Sequence, residues 1–218
     1  MNKQILTTAV LALLVTGQAF AQSMVKTASK PSFGIRAGVN FQNINGKDAS
    51  GDDLENELTT GFHGGVNAEL PLGTGFYLQP GVLYSQKGAA FENDVKVRLS
   101  YIEVPVNFVY KPILGTGNMI LGFGPYVGFG IGGKIKYGNI ETDIEFDRDY
   151  NALDPASRFK SFDAGGNLLA GYEFANRLSF QLNAQLGLVN INKENPANND
   201  DDTRWRNTGF GLSLGYRF

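Results

Sequence analysis

Residues that could carry out catalysis are few in this chain of 218 residues. It contains no cysteine and one histidine, His63, so most nucleophile-and-base arrangements cannot be built from it. A hydrolase would need His63 close to a carboxylate, and Asp163 is the candidate at a similar height in the strands described below. This pattern alone is not a catalytic signature, and we predict that the protein is not an enzyme.

Two other patterns have the composition of ligand sites. Residues 128–133 formally match GxGxxG, but no helix follows to offer its N-terminus to a phosphate, and we interpret these glycines as small residues in a narrow interior. Carboxylate oxygens bind Ca²⁺ and Mg²⁺, yet neither of two acidic runs has EF-hand spacing. The runs are Glu141, Asp143, Glu145, Asp147 and Asp149, and residues 200–202. We predict no metal site and no cofactor.

Eight charged residues stand at alternate positions within, or at the end of, apolar segments. They are Arg36, Glu69, Lys87, Glu103, Lys111, Asp163, Glu173 and Arg217. If the segments are strands, these side chains share the face opposite the apolar one. Charges of both signs enclosed in a narrow interior should pair, because an unpaired buried charge costs several kcal/mol. We therefore predict an interior charge network with a structural role.

The elements that position these charges are eight segments with apolar or aromatic residues at every second position. Each holds about ten residues, enough to cross the ~25 Å apolar band of a membrane at the usual strand tilt. The pattern predicts an all-β fold, an eight-stranded antiparallel up-and-down transmembrane β-barrel. Aromatic residues collect at both strand ends. One ring contains Phe33, Phe76, Tyr110, Phe174 and Phe218, and the other contains Phe41, Phe62, Tyr84, Phe162 and Phe210. The alternative, a soluble lipocalin-like barrel with its apolar face inward, does not explain two rings.

The start of the chain indicates export. Residues 1–21 combine a basic start, an apolar stretch and an Ala-Phe-Ala sequence, as in a cleaved signal peptide. We expect residues 22–32 to form a short periplasmic segment and residues 33–218 to form an outer-membrane β-barrel domain. An exported protein without cysteine has no disulfides, so closure of the sheet must supply the stability.

The end of the chain continues the alternation to its last residue. The residues that share its apolar face are Phe210, Leu212, Leu214, Tyr216 and Phe218. Bacterial outer-membrane barrels close with such a strand, and we interpret these five residues as the insertion signal that the barrel-assembly machinery recognises.

Short turns alternate with long, predominantly acidic connections at residues 43–60, 88–97, 133–160 and 191–204. Barrels of this kind keep their long loops outside the cell. In the third loop, a turn at Gly138 predicts a hairpin. Its register would place Lys136 opposite Glu141 and Lys134 opposite Asp143.

Several motifs resemble the PorT-like outer-membrane β-barrel family. They are FGIRAGVN at residues 33–40, YIEVPVNF at 101–108, GPYVG at 124–128, DAGGNLLAGYEF at 163–174, and the terminal strand. The resemblance implies an integral outer-membrane barrel without a set of catalytic residues. The namesake of the family is associated with a protein secretion and gliding apparatus.

These observations predict a protein of the outer membrane of a Gram-negative bacterium with a structural or accessory role, in secretion or envelope assembly. Its expected partners are outer-membrane lipid, the barrel-assembly machinery and other envelope or secretion proteins, but not nucleic acid. Two alternatives stay open, a narrow passive pore and a cell-surface binding protein that acts through loops 43–60 and 133–160.

Overall fold

The computed structural model describes residues 30–48, 51–91, 94–146, 151, 155–193 and 203–218. The predicted signal peptide and most of the predicted segment 22–32 lie outside the described residues. The only described helix in these ranges is a 3₁₀ turn, Pro155–Arg158. No helix in this part of the chain is long and apolar enough to cross a membrane.

Eight long strands form the fold. They are β1 Ser32–Lys47, β2 Thr59–Gly73, β3 Phe76–Phe91, β4 Val95–Tyr110, β5 Gly117–Tyr137, β6 Phe162–Glu173, β7 Leu178–Gly187 and β8 Arg204–Arg217. Each strand pairs antiparallel with the next along the chain, and β8 pairs with β1. The eight pairings close the sheet on itself, so no long strand has a free edge. The prediction of an eight-stranded antiparallel up-and-down barrel is confirmed.

Alternation along each strand separates an apolar outer face from a largely polar lumen. Phe33, Leu168 and Leu214 point outward and expose 65%, 65% and 68% of their surface. Their neighbours in sequence point inward, and many are glycines because the lumen of eight strands is narrow. A Cβ atom on Gly38 would lie 1.8 Å from the carbonyl oxygen of Leu212. A side chain at this position would therefore push β1 away from β8.

Aromatic side chains at each end of the barrel contact one another across strands. At one end, Phe76 stacks on Tyr110 with ring centroids 4.6 Å apart. At the other, Phe41 stacks on Phe210 at 5.2 Å, and Phe62 packs against Tyr84. We call this second group the outer aromatic ring, because the longer connections lie at its end of the barrel.

Several strands continue well beyond the outer aromatic ring, and there the lumen is apolar. A cluster of buried side chains fills it, formed by Ile44, Ala89, Val97, Leu99, Tyr101, Ile135, Ile144, Phe159 and Ile191. We call this cluster the outer core. The prediction of a long connection at residues 88–97 is wrong, because β3 continues to Phe91 and β4 begins at Val95. The alternating apolar residues of this segment extend the sheet instead of forming a loop.

The predicted hairpin after β5 is present. The short strand Ile140–Ile144 pairs with the end of β5, with Lys136 opposite Glu141 and Lys134 opposite Asp143, as the turn predicted. The ion pair is diagonal, however, because Lys134 Nζ contacts Glu141 Oε1. This hydrogen bond, together with the charge of Lys134, lowers the pKa of Glu141 below its ordinary value and raises the pKa of Lys134.

Candidate functional site

A buried ion triad lies in the lumen below the outer core. Lys87 Nζ lies 2.5 Å from Glu103 Oε1 and 3.0 Å from Asp163 Oδ2, and the three side chains expose 3% of their surface or less. The ammonium group also faces the ring of Tyr126, 4.2 Å from its centroid. Two carboxylates and an aromatic face therefore replace the water that a buried cation would otherwise need.

The triad joins five of the eight strands across the lumen. Lys87, Glu103 and Asp163 stand on β3, β4 and β6. Asn207 on β8 donates a hydrogen bond to Asp163 at 3.0 Å, and Gln185 on β7 donates to Glu103 at 3.1 Å. Because both carboxylates accept from a second side chain, the cluster works as a crosslink between distant parts of the sheet.

A second ion cluster occupies the opposite end of the lumen. Lys111 Nζ lies 3.1 Å from Glu69 and 2.6 Å from Glu173. Arg217 donates to Glu69 at 2.8 Å and to Asn67 at 2.6 Å. The terminal strand β8 is thereby joined to β2 by its side chain as well as to β1 by its backbone. The structure thus brings seven of the eight sequence-predicted charges into two clusters.

Arg36 stands apart from both clusters. It is the one residue of the eight for which the described part of the chain holds no ion pair, and its Nε atom is buried without a hydrogen-bond partner. Arg36 stands on β1 opposite Gly215 of β8 and Gly65 of β2, and the charges of Glu103 and Arg217 act on its guanidinium.

His63 forms a hydrogen-bonded chain that sequence reasoning missed. Its Nδ1 atom lies 2.6 Å from Asn40 Oδ1, and its Nε2 atom lies 2.7 Å from Ser213 Oγ. An amide oxygen can only accept, so Nδ1 carries a proton and donates it to Asn40. The hydroxyl of Ser213 also donates to Asn183 Oδ1 at 3.4 Å. Asp163, the carboxylate considered for His63 in the sequence, belongs to the ion triad instead. One signal in the sequence pointed to this hydrogen-bonded chain, because Asn40, His63 and Ser213 all stand at inward-facing positions of their strands.

The order serine, histidine, amide oxygen is that of a hydrolytic relay, but its surroundings are not those of a hydrolase. The side chains of Asn40, His63 and Ser213 expose between 2% and 6% of their surface. Two apolar grooves lie on the outward face of the barrel, against residues such as Phe123 and Leu168, and neither is lined by these three residues. The chain of hydrogen bonds satisfies buried polar groups and presents no exposed nucleophile.

Ligands for a metal ion are not assembled in the part of the chain that the structure describes, where no three His, Cys, Asp or Glu residues converge. Of the first acidic run, Glu141 and Asp143 lie on the exposed hairpin beside lysines. Asp147 and Asp149, and the second run at 200–202, lie outside the described residues. Residues 128–133, which match GxGxxG, are part of strand β5.

A closed eight-stranded barrel with an apolar outer face and a polar, ion-paired lumen defines a small barrel protein of the outer membrane. A family model described as outer membrane protein beta-barrel domain matches residues 20–193. The chain belongs to this family, and its location is the outer membrane of a Gram-negative bacterium. No curated protein is detectably similar to it.

Three solved structures illustrate the range of similar barrels. Neisserial surface protein A is 11% identical, with a TM-score of 0.48, over 87% of this chain and 100% of that one. Ail of Yersinia pestis, in complex with the heparin analogue sucrose octasulfate, is 14% identical, with a TM-score of 0.43, over 87% and 100%. OprG of Pseudomonas aeruginosa is 14% identical, with a TM-score of 0.44, over 86% and 95%. Likeness at this level concerns the fold, and no function follows from it.

Proposed function

We propose that this protein is a non-conducting, non-enzymatic barrel with a structural or accessory role in the outer membrane. The observation that carries the proposal is the buried triad of Lys87, Glu103 and Asp163, which crosses the lumen from β3 to β6. A barrel that transported solutes would need water at this position, and the triad and its neighbours occupy it.

The filling of the lumen supports closure along most of its length. The second ion cluster, around Lys111 and Glu69, lies at one end, and the outer core, with Leu99 and Tyr101 fully buried, lies at the other. An eight-stranded barrel has an interior just wide enough for side chains to fill. An ion entering this lumen would have to separate buried ion pairs and then pass an apolar cluster, and both steps are costly.

The accessory role rests on the resemblance to the PorT-like family together with the absence of an exposed nucleophile at Ser213. In this role the protein inserts through the barrel-assembly machinery, sits in outer-membrane lipid, and contacts envelope or secretion proteins through its outer end. The strands that continue beyond the outer aromatic ring give that end a rigid base.

Conductance measurements test the closed lumen. Purified protein, shown to be folded by its shifted mobility on an unboiled gel, is added to planar bilayers. We expect no steady conductance steps. Reproducible steps whose ion selectivity changes in Glu103→Ala or Arg217→Ala would establish the narrow pore and overturn the proposal.

Crosslinking in intact cells tests the accessory role. Protein purified from crosslinked outer membranes should carry envelope or secretion proteins, and a variant with the hairpin at residues 138–145 replaced by a short turn should carry fewer of them. Recovery of the barrel alone, with normal amounts of folded protein, would contradict an accessory role while leaving the closed lumen intact.

A further inference from the structure

Basic side chains gather on the outward face of the barrel, just beyond the outer aromatic ring. One group, which we call patch A, contains Lys96 and Arg98 on β4 with Lys134 and Lys136 on β5. The other, patch B, contains Lys47 on β1 with Arg204 and Arg206 on β8. These residues are exposed. Two strands separate the patches in each direction around the ring, so they lie on opposite sides of the barrel.

Both patches place like charges directly opposite each other. Lys96 is paired with Lys136, and Arg98 with Lys134. In patch B, Lys47 is paired with Arg204. Side chains in directly opposed positions have Cβ atoms about 5 Å apart, and like charges there destabilise a sheet. Three such oppositions are unfavourable for the isolated protein.

Acidic neighbours offset only part of this charge. Lys134 forms the ion pair with Glu141, and Asp143 lies on the same hairpin strand. Patch A therefore holds four basic against two acidic side chains. For the other basic residues of both patches, the structure shows no ion pair within the described ranges of the chain. An anion between the opposed cations would convert their repulsion into attraction.

A bulge in β5 produces the arrangement of patch A. The register between β4 and β5 shifts by one residue, so that Ser100 pairs with Gly132 and Tyr101 pairs with Gly130. Before the bulge, the odd-numbered residues of β5 point outward. After the bulge, the even-numbered residues Lys134 and Lys136 point outward instead. Gly132 adopts a φ of 154° at this point, a backbone conformation that side chains disfavour. The bulge thus directs Lys134 and Lys136 outward and Ile135 into the outer core.

The height of the patches identifies the kind of anion. Lys47 lies six residues beyond Phe41 of the outer aromatic ring, and Arg98 lies four beyond Ile102, the partner of Tyr84. At the usual rise and tilt, four to six residues correspond to roughly 10–16 Å. The headgroup layer of a phospholipid extends only about 5–8 Å from the hydrocarbon. A phosphate at the height of the patches must therefore belong to a lipid with a larger headgroup, such as one built of sugars.

We infer that patches A and B bind the phosphate groups of a glycolipid of the outer leaflet, one glycolipid on each side of the barrel. Arginine and lysine are the side chains that bind phosphate best. The apolar wall below each patch, between the two aromatic rings, faces the acyl chains of the same lipid. The inference goes beyond the structural role proposed above and does not depend on whether the lumen conducts.

The test measures the thermal midpoint of the folded barrel in neutral detergent, read by mobility on unboiled gels. The probe is a lipopolysaccharide of short sugar chain that carries core phosphates. We expect it to raise the midpoint, with an apparent affinity at least tenfold weaker in Arg98→Gln/Lys136→Gln and in Arg204→Gln/Arg206→Gln. The matched control is Lys30→Gln/Arg177→Asn, which removes two exposed cations from the opposite end of the barrel and should bind as the unmodified protein does.

Three further samples separate the sources of phosphate. The first sample is the same glycolipid without its phosphates. The other two are phosphatidylglycerol and inorganic phosphate, each at the phosphate concentration of the glycolipid probe. Each of the three should raise the thermal midpoint much less than the probe does. An equal rise with phosphatidylglycerol or inorganic phosphate would overturn the assignment to a glycolipid. An unchanged affinity in both patch variants would overturn the binding site itself.

One more variant distinguishes binding from general stability. Lys96→Glu replaces an opposed like-charge pair with an ion pair to Lys136. It should raise the thermal midpoint without lipid and at the same time reduce the gain caused by the glycolipid. A larger gain in this variant would contradict the inference.

Discussion

The backbone nitrogen of Phe218 donates a hydrogen bond of 2.8 Å to the carbonyl oxygen of Phe33. The last residue of the chain is thereby joined to the first strand of the barrel. The aromatic ring of Phe218 packs edge-on against Tyr216, with centroids 5.3 Å apart, on the outward face. Backbone and side chain of this residue therefore have separate tasks, closure of the sheet and presentation of an aromatic surface.

The first prediction concerns Phe218. Its deletion, and equally Phe218→Ala, should lower the amount of folded barrel in outer membranes, because we propose that the assembly machinery recognises the terminal aromatic side chain. The measurement is the fraction with shifted mobility on unboiled gels. Phe218→Tyr is the control and should assemble normally.

Refolding from urea into detergent separates recognition from stability. Phe218→Ala keeps the backbone hydrogen bond to Phe33 and should refold almost as well as the unmodified protein. Normal assembly of Phe218→Ala in cells would contradict the role of the five-residue insertion signal.

The second prediction concerns the ion triad. Lys87→Met leaves Glu103 and Asp163 buried without their cation, and we expect the free energy of unfolding to fall by about 3–5 kcal/mol. Urea titration in detergent measures the change. Lys134→Met is the control, because its exposed pair with Glu141 is screened by solvent and should contribute little.

A triple variant separates charge from packing in the same triad. Lys87→Met with Glu103→Gln and Asp163→Asn removes all three charges and should recover a large part of the lost stability. If the triple variant is no more stable than Lys87→Met, the loss comes from packing and the electrostatic account is wrong.

The third prediction concerns the outer core. Leu99 is fully buried, and Leu99→Ala should lower the free energy of unfolding by about 2–5 kcal/mol through lost burial and a residual cavity. Lys96→Ala, three residues earlier on the same strand but on the outward face, is the matched control and should not destabilise the barrel. Equal losses in the two variants would show that the extended strands are not packed around a core.

The fourth prediction concerns Ser213. Its hydroxyl is buried in the lumen beside His63, so a fluorophosphonate probe should not label the folded protein. Ser213→Ala should leave the labelling background unchanged. Labelling that is lost in Ser213→Ala would identify an accessible nucleophile and contradict the non-enzymatic role.

The fifth prediction concerns divalent cations. Glu141 is engaged by Lys134, and no three His, Cys, Asp or Glu residues converge on a metal site in the described part of the chain. Chelation by EDTA should therefore leave the thermal midpoint of the purified barrel unchanged. A fall of several degrees, restored by added Ca²⁺, would establish a metal site in the acidic loops.

Local patterns in the sequence were sufficient for the barrel and for the face on which each of the eight predicted interior charges lies. Period-two alternation decides the direction of a side chain from its own strand, so Lys87 and Asp163 could be assigned to the lumen before any contact was known. The turn at Gly138 likewise determined the register of its hairpin, because a two-residue turn leaves one pairing of the flanking residues.

Contacts across the lumen were decided by the tertiary structure alone. Lys87 and Asp163 are 76 residues apart in sequence, and His63 and Ser213 are 150 apart. Only the closure of eight strands with their particular registers brings these pairs within hydrogen-bonding distance. The sequence could therefore predict that interior charges pair. It could not predict that Lys87 forms ion pairs with two carboxylates while Arg36 forms none with the described residues.

The outer end of the barrel shows most clearly which contacts the sequence could not predict. Residues 88–97 are predicted to be a loop, whereas their inward side chains Ala89 and Val97 are buried in the outer core. Their burial depends on Ile44, Ile144 and Ile191, which other strands and loops bring to the same place. The bulge in β5 depends in turn on its pairing with β4, and it alone reverses the direction of Lys134 and Lys136. Direction along one strand is a local property of the chain, whereas pairing, bulges and the contents of the lumen are properties of the closed sheet.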